Sequence, residues 1–180
     1  MKILIILLCS LSSTLLPAQS EKFVHSELPY TTISNINGYI HVIGEDRNDI
    51  SVELLNVESE DDVSLVREEY EDGLYIYVQL PGHQVTINAK DHTISQQWDS
   101  NRGSVKIGSF HYDLLLRVPK HTNLNLSTLN DGEIDVKNIT GELSVNNLNH
   151  SINLSQVSQL VYANALNGDC LLYTSPSPRD

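Results

Sequence analysis

"LNLSTLNDGEIDVKNITGELSVNNLNHSINLSQVSQLVYANALNG", from Leu124 to Gly168, is the stretch on which the fold turns. Its apolar residues fall into triplets that recur every nine or ten residues: Leu124, Leu126 and Leu129; Ile134, Val136 and Ile139; Leu143, Val145 and Leu148; Ile152, Leu154 and Val157; Val161, Ala163 and Leu166. The first two members of each are two apart, the strand period, and the third follows a three-residue step that breaks the alternation. Each unit is therefore a short strand and a corner. Gly132, Gly141, His150 and Gly168 sit at the corners, where glycine and asparagine tolerate positive φ. Three buried aliphatic side chains contribute about 5 to 9 kcal/mol, whereas ordering nine backbones costs about 9 to 18 kcal/mol. One unit cannot fold alone, so units must stack and share a core. The pattern predicts an all-β fold, a β-solenoid, single-stranded β-helix-like or flattened, with rungs of about nine residues.

Working outward, "ISNINGYIHVIGEDRNDISVEL" from Ile33 carries the same alternation more loosely, with a turn at Asn37-Gly38. A hairpin region follows in the middle of the chain. Strands are predicted over Val63 to Glu69, Leu74 to Leu80 and Gln84 to Ala89, with turns at Asp72-Gly73 and Pro81-Gly82. The polar stretch Asp91 to Gly103, which contains Trp98, reads as a long loop before a strand over Val105 to Val118.

Both ends of the chain stand apart from this pattern. Residues 1–20 form a signal peptide: Lys2, then apolar runs broken at Pro17, then Ala18 and Ser20 in the small-residue positions of a cleavage site between Ser20 and Glu21. The protein is accordingly expected to be exported, to the periplasm, the outer surface or the medium. At the other end, "CLLYTSPSPRD" over 170–180 abandons the repeat and resembles the translation of a sequencing adapter. The expectation is an adhesin-like β-repeat domain over 21–169, cut short, with a non-native tail. That domain has no cysteine, because the two in the sequence are Cys9 and Cys170. The formal net charge is −12, which points away from nucleic acid and anionic lipid as partners. No apolar run after the signal peptide is long enough to span a membrane.

The residues that carry a family resemblance are Val118-Pro119-Lys120 at a strand end, the rungs Gly132 to Val136 and Gly141 to Val145, and "NGYIHVIG" from Asn37 to Gly44. Over Thr31 to Asp169 the chain resembles the DUF4097 family of adhesin-like bacterial envelope proteins. The resemblance implies a β-helical envelope domain with no catalytic residues to carry over. His150 departs from it, standing where a rung-closing glycine is usual.

The chemistry-bearing residues give little support to catalysis. No G-x-S-x-G elbow and no H-E-x-x-H signature occurs, and Lys120 and Lys137 are the only basic residues from Lys120 to Asp169. The chain reads as a non-enzyme without cofactor. The seven histidines are scattered; His83 and His92 are the one pair that a hairpin could bring together. The acidic segments "GEDRNDI" and "ESEDD" suit either calcium or plain solvation, and they lack the full ligand pattern of a calcium loop. Asparagine is dense on the repeat, for amide ladders along corners or for sugar hydroxyls. Tyr75 and Tyr77, two apart on one strand face, are the candidate binding surface, although such pairs also stabilise sheets by up to about 1 kcal/mol each. The resulting expectation is an adhesin-like module for a glycan or an envelope or matrix protein. The alternative is a self-associating envelope scaffold.

Overall fold

The computed structural model describes residues 19–24, 28–56, 63–80, 82–98 and 111–173. The strands are β1 (Gln19–Val24), β2 (Tyr30–Asn37), β3 (Ile40–Glu45), β4 (Asp49–Leu55), β5 (Ser64–Tyr70), β6 (Gly73–Gln79), β7 (His83–Asn88), β8 (Thr93–Trp98), β9 (Asp113–Pro119), β10 (Leu124–Asn130), β11 (Ile134–Asn147), β12 (Ile152–Ala165) and β13 (Cys170–Tyr173). The fold is all-β. Among the described residues the only helical element is a 3-10 turn at Ala89–Asp91, and no helix is long and apolar enough to cross a membrane.

Eleven strands form one mixed sheet in the order β1-β4-β9-β3-β11-β10-β2-β6-β5, with β12 beside β11 and β13 beside β12. β7 and β8 form a separate antiparallel pair. The repeat region pairs in parallel: Leu124 lies beside Leu143, Ile134 beside Ile152, and Ile152 beside Cys170. Partners are thus 18 or 19 residues apart, so the nine-residue unit is not the rung. Two units separate each strand from its neighbour. The long strands turn a corner between their units, at Asn138 (φ 63°) and Gln156 (φ 55°), and the β11–β12 register shifts just beyond it. After that shift Leu160 pairs with Leu143 and Ala163 with Val145. Val161, expected inside, is 64% exposed.

The amino-terminal strands enter the same array, β2 between β10 and β6, and β3 between β11 and β9. Alternate residues of each strand point into one apolar cluster that includes Ile33, Ile40, Val42, Leu114, Leu126, Ile134, Val145 and Leu154. Burying each such side chain stabilises the fold by about 1.5 to 3 kcal/mol. Antiparallel strands flank the array: β5 closes one side against β6, and β4 and β1 lie outside β9. The Ser20–Glu21 junction falls within β1. Cleavage there would leave Glu21 to Val24 opposite Val52, Ser51, Ile50 and Asp49.

The stretch from Asp91 is not a loop throughout. β8 occupies Thr93 to Trp98 and returns antiparallel to β7, while 99–110 lies outside the described residues.

Candidate functional site

β6 decides the fate of Tyr75 and Tyr77. Its burial is continuous from Gly73 to Val78, so both faces of the strand are covered. Leu74, Ile76 and Val78 enter the apolar cluster, and the alternate residues Tyr75 and Tyr77 face the opposite side, at 0% and 3% exposure. Neither ring offers a free face, so the pair does not form the binding surface expected of it. The cover is the β7–β8 hairpin. Its turn is fastened by the His92 carbonyl, which accepts from Asn125 Nδ2 (2.8 Å) and Thr32 Oγ1 (3.3 Å). The His92 ring lies against Tyr30 (4.4 Å between centroids), with Nδ1 3.3 Å from Asp72. Further along, Gln96 Nε2 donates to the Val78 carbonyl (2.8 Å). The tyrosine hydroxyls donate to carboxylates, Tyr75 to Asp72 (2.5 Å) and Tyr77 to Glu68 (2.7 Å). Burial, then these bonds, push both phenols well above the usual tyrosine range.

His83 pairs with Trp98 at one end of the hairpin and His92 lies in the turn at the other; the two do not meet. In "GEDRNDI" the carboxylates already face cations of the protein. Arg47 grips Asp49 through two bonds (2.7 and 2.8 Å) and reaches Glu45 (3.2 Å), Arg117 also reaches Glu45 (2.9 Å), and Lys120 reaches Asp46 (3.0 Å). "ESEDD" lies outside the described residues. Among the described residues no three His, Cys, Asp or Glu side chains are grouped to hold a metal ion.

The asparagines do form ladders. Asn147, buried at a corner, donates to the carbonyls of Gly132 (2.9 Å) and Ser151 (3.1 Å), and Asn35 does the same for Tyr112 (2.8 Å). On the outside Asn164 donates to Asn146, and Asn167 to Asn149, both at 2.9 Å.

The 18-residue pairing also builds a surface that strand alternation alone did not reveal. Paired residues of parallel strands share a face, so Asn125, Ser144 and Tyr162 form one outward row and Ser127, Asn146 and Asn164 the next. Tyr162 is 52% exposed. The hairpin turn borders these rows through the Asn125–His92 bond, and Glu142, two residues before Ser144 on the same strand, accepts from Tyr30 (2.6 Å). An amide offers two donors and two lone pairs, so the Asn146–Asn164 bond leaves capacity for a ligand. The signal for this site was the tyrosine in "LVYANA", off the apolar triplet, but its neighbours follow only from the pairing.

Comparison with known proteins is sparse. No family model matches the chain, so the DUF4097 resemblance rests on the residues quoted above, and no curated protein matches either. Two solved structures are similar in outline. One is described as a "putative cell adhesion protein" from Clostridium sporogenes, at 9% identity and a TM-score of 0.46, over 88% of this chain and 100% of that one. The other is described as a "putative lipid binding protein" from Parabacteroides distasonis, at 15% identity and a TM-score of 0.28. It is aligned over 86% of this chain, which spans 62% of that protein. Both likenesses are too loose to carry an argument about function.

Proposed function

We propose that the protein is an exported, non-catalytic envelope protein of adhesin type. In this reading its domain is a flattened β-solenoid with two nine-residue units per turn, and it binds neutral glycan on the outer face around Tyr162. One observation supports this above the rest: on a chain of net charge −12, the rows Asn125–Ser144–Tyr162 and Ser127–Asn146–Asn164 are uncharged and hold an exposed aromatic ring. Amide and hydroxyl groups match sugar hydroxyls, and a phenol ring supplies an apolar platform with a polar tip.

The test is calorimetric titration of the purified protein against a panel of neutral oligosaccharides. Saturable binding that Tyr162→Ala weakens at least about ten-fold, while Tyr70→Ala on the opposite flank leaves it unchanged, is the expected result. Absence of saturable binding across the panel, or equal binding by the Tyr162 variant, would refute the reading. Export is checked by amino-terminal sequencing of the secreted form, which should begin at Glu21.

A further inference from the structure

The uncharged rows do not end at Asn125 and Ser127. Pairing carries them across β2 to β6, so that Tyr75, Thr32, Asn125, Ser144 and Tyr162 form one row, and Tyr77, Ser34, Ser127, Asn146 and Asn164 the next. Strands lie about 4.8 Å apart, so each row runs about 19 Å. Each begins with a tyrosine ring and continues through hydroxyls and amides, with no charged side chain. Cover divides the surface. Tyr75, Tyr77, Thr32 and Ser34 on β6 and β2 are buried, whereas Asn125, Ser127 and Ser144 on β10 and β11 are partly exposed.

The β7–β8 hairpin and the surface beneath it match poorly. A layer buried for good would meet apolar side chains, but this one lies over the hydroxyls of Thr32 and Ser34, and its own Val85, Ile87 and Ile94 are only partly buried. Among the described residues β7 and β8 form a ladder only with each other. Gln96 spends its amide nitrogen on the Val78 carbonyl, while its Oε1 is buried without a hydrogen-bond partner, which weakens the closed arrangement. Asn125 Nδ2 and Thr32 Oγ1, both in the first row, donate to the His92 carbonyl. The turn thus occupies donors that would otherwise meet a ligand's oxygen. Gly82, whose φ of 71° suits glycine, joins the hairpin to β6.

We propose that the β7–β8 hairpin is a lid over a second half of the glycan site, displaced by a neutral oligosaccharide that lays its rings on Tyr75 and Tyr77 and its hydroxyls on Thr32, Ser34 and Asn125. The occupant rests on the glycan reading; the movement of the lid does not. A ligand that takes the open form draws the population toward it, and its apparent affinity is reduced by the fraction open. Loosening the lid therefore tightens binding.

Two measurements separate the lid from its occupant. Prolonged treatment with tetranitromethane, without sugar, should modify Tyr75 and Tyr77 more slowly than Tyr162 but faster than Tyr112, which is buried in the core and reports global unfolding. Gln96→Glu replaces the donor to Val78 with a charge that the closed lid would bury. It should speed modification of Tyr75 and Tyr77 at least about ten-fold and leave Tyr112 and the far-UV circular dichroism unchanged. Calorimetric titration with neutral hexasaccharides, cellohexaose and maltohexaose among them, should then show binding at least about five-fold tighter in Gln96→Glu than in the parent. Tyr75 and Tyr77 keeping pace with Tyr112 in both forms overturns the lid, whatever sugar binds. Opening with no saturable sugar binding by either form overturns the glycan reading and the occupant named here. Binding no tighter in Gln96→Glu, with its tyrosines reactive, confines the ligand to the uncovered half and overturns the extended site.

Discussion

Glu68 lies at the meeting point of two tyrosines, accepting from Tyr70 and Tyr77, each at 2.7 Å. The Tyr70 bond first, and the Tyr77 bond with it, hold its carboxyl below the ordinary value of 4.5, against a smaller opposing effect of burial. A folded value below the unfolded one means a stabilising contribution that is complete above about pH 4.5 and disappears as pH falls through the folded value. Glu68→Gln should therefore lower the urea midpoint at pH 7, and the gap from the parent should close below about pH 4. A gap that persists or widens in acid would show that the carboxylate is not what the two hydroxyls stabilise. The corner glycines show the limit of reading single residues. The sequence placed them correctly but for one reason, positive φ, which applies at Gly38 (φ 130°) and not at Gly132. There, an added Cβ would stand 1.7 Å from the Gly38 carbonyl oxygen, so glycine is required by the neighbouring corner. A clash between corners distant in sequence is invisible in a local pattern. At His150, 18 residues after Gly132 and 18 before Gly168, a side chain is accommodated, and its ring reaches toward Asp131 (3.4 Å).

The elements with one apolar face were legible; those covered on both sides were not. β3, β10 and the first half of β11 alternate buried and part-exposed residues as the sequence suggests. β6 does not, because the outer face of its tyrosines lies under the β7–β8 hairpin. That hairpin is hard to recognise as a cover. Its outward residues Gln84, Thr86, Gln97 and Ser95 are polar, and its inward Val85, Ile87 and Ile94 are only partly buried. A two-stranded hairpin is marginal by itself, so its order derives from the His92 and Gln96 bonds to the sheet. Tetranitromethane, which modifies accessible phenols, should nitrate Tyr162 and Tyr39 readily and spare Tyr75 and Tyr77 in the folded protein. Mass-spectrometric mapping reads the order of modification. Tyr75 reacting as fast as Tyr162 would show that the hairpin does not cover the sheet.

For the whole molecule, the sequence revealed the repeat, and the structure its pairing. Successive nine-residue units resemble one another so closely that apolar spacing cannot tell whether a unit lies beside the next one or the one after. The answer depends on the corners at Asn138 and Gln156, which send alternate units to different neighbours. Every outward row, including Asn125–Ser144–Tyr162, follows from that choice. The most direct measurement is disulfide trapping in a Cys170→Ser background. Ser127 and Asn146 are paired across β10 and β11, so Ser127→Cys with Asn146→Cys brings two thiols within the roughly 4.4 to 6.8 Å Cα separation a disulfide spans. Rapid, near-complete oxidation of that pair, with no bond in Ser127→Cys with Lys137→Cys, is the predicted result. Oxidation of the Ser127–Lys137 pair instead would mean that neighbouring units stack directly, and would contradict the 18-residue pairing on which the proposed site rests.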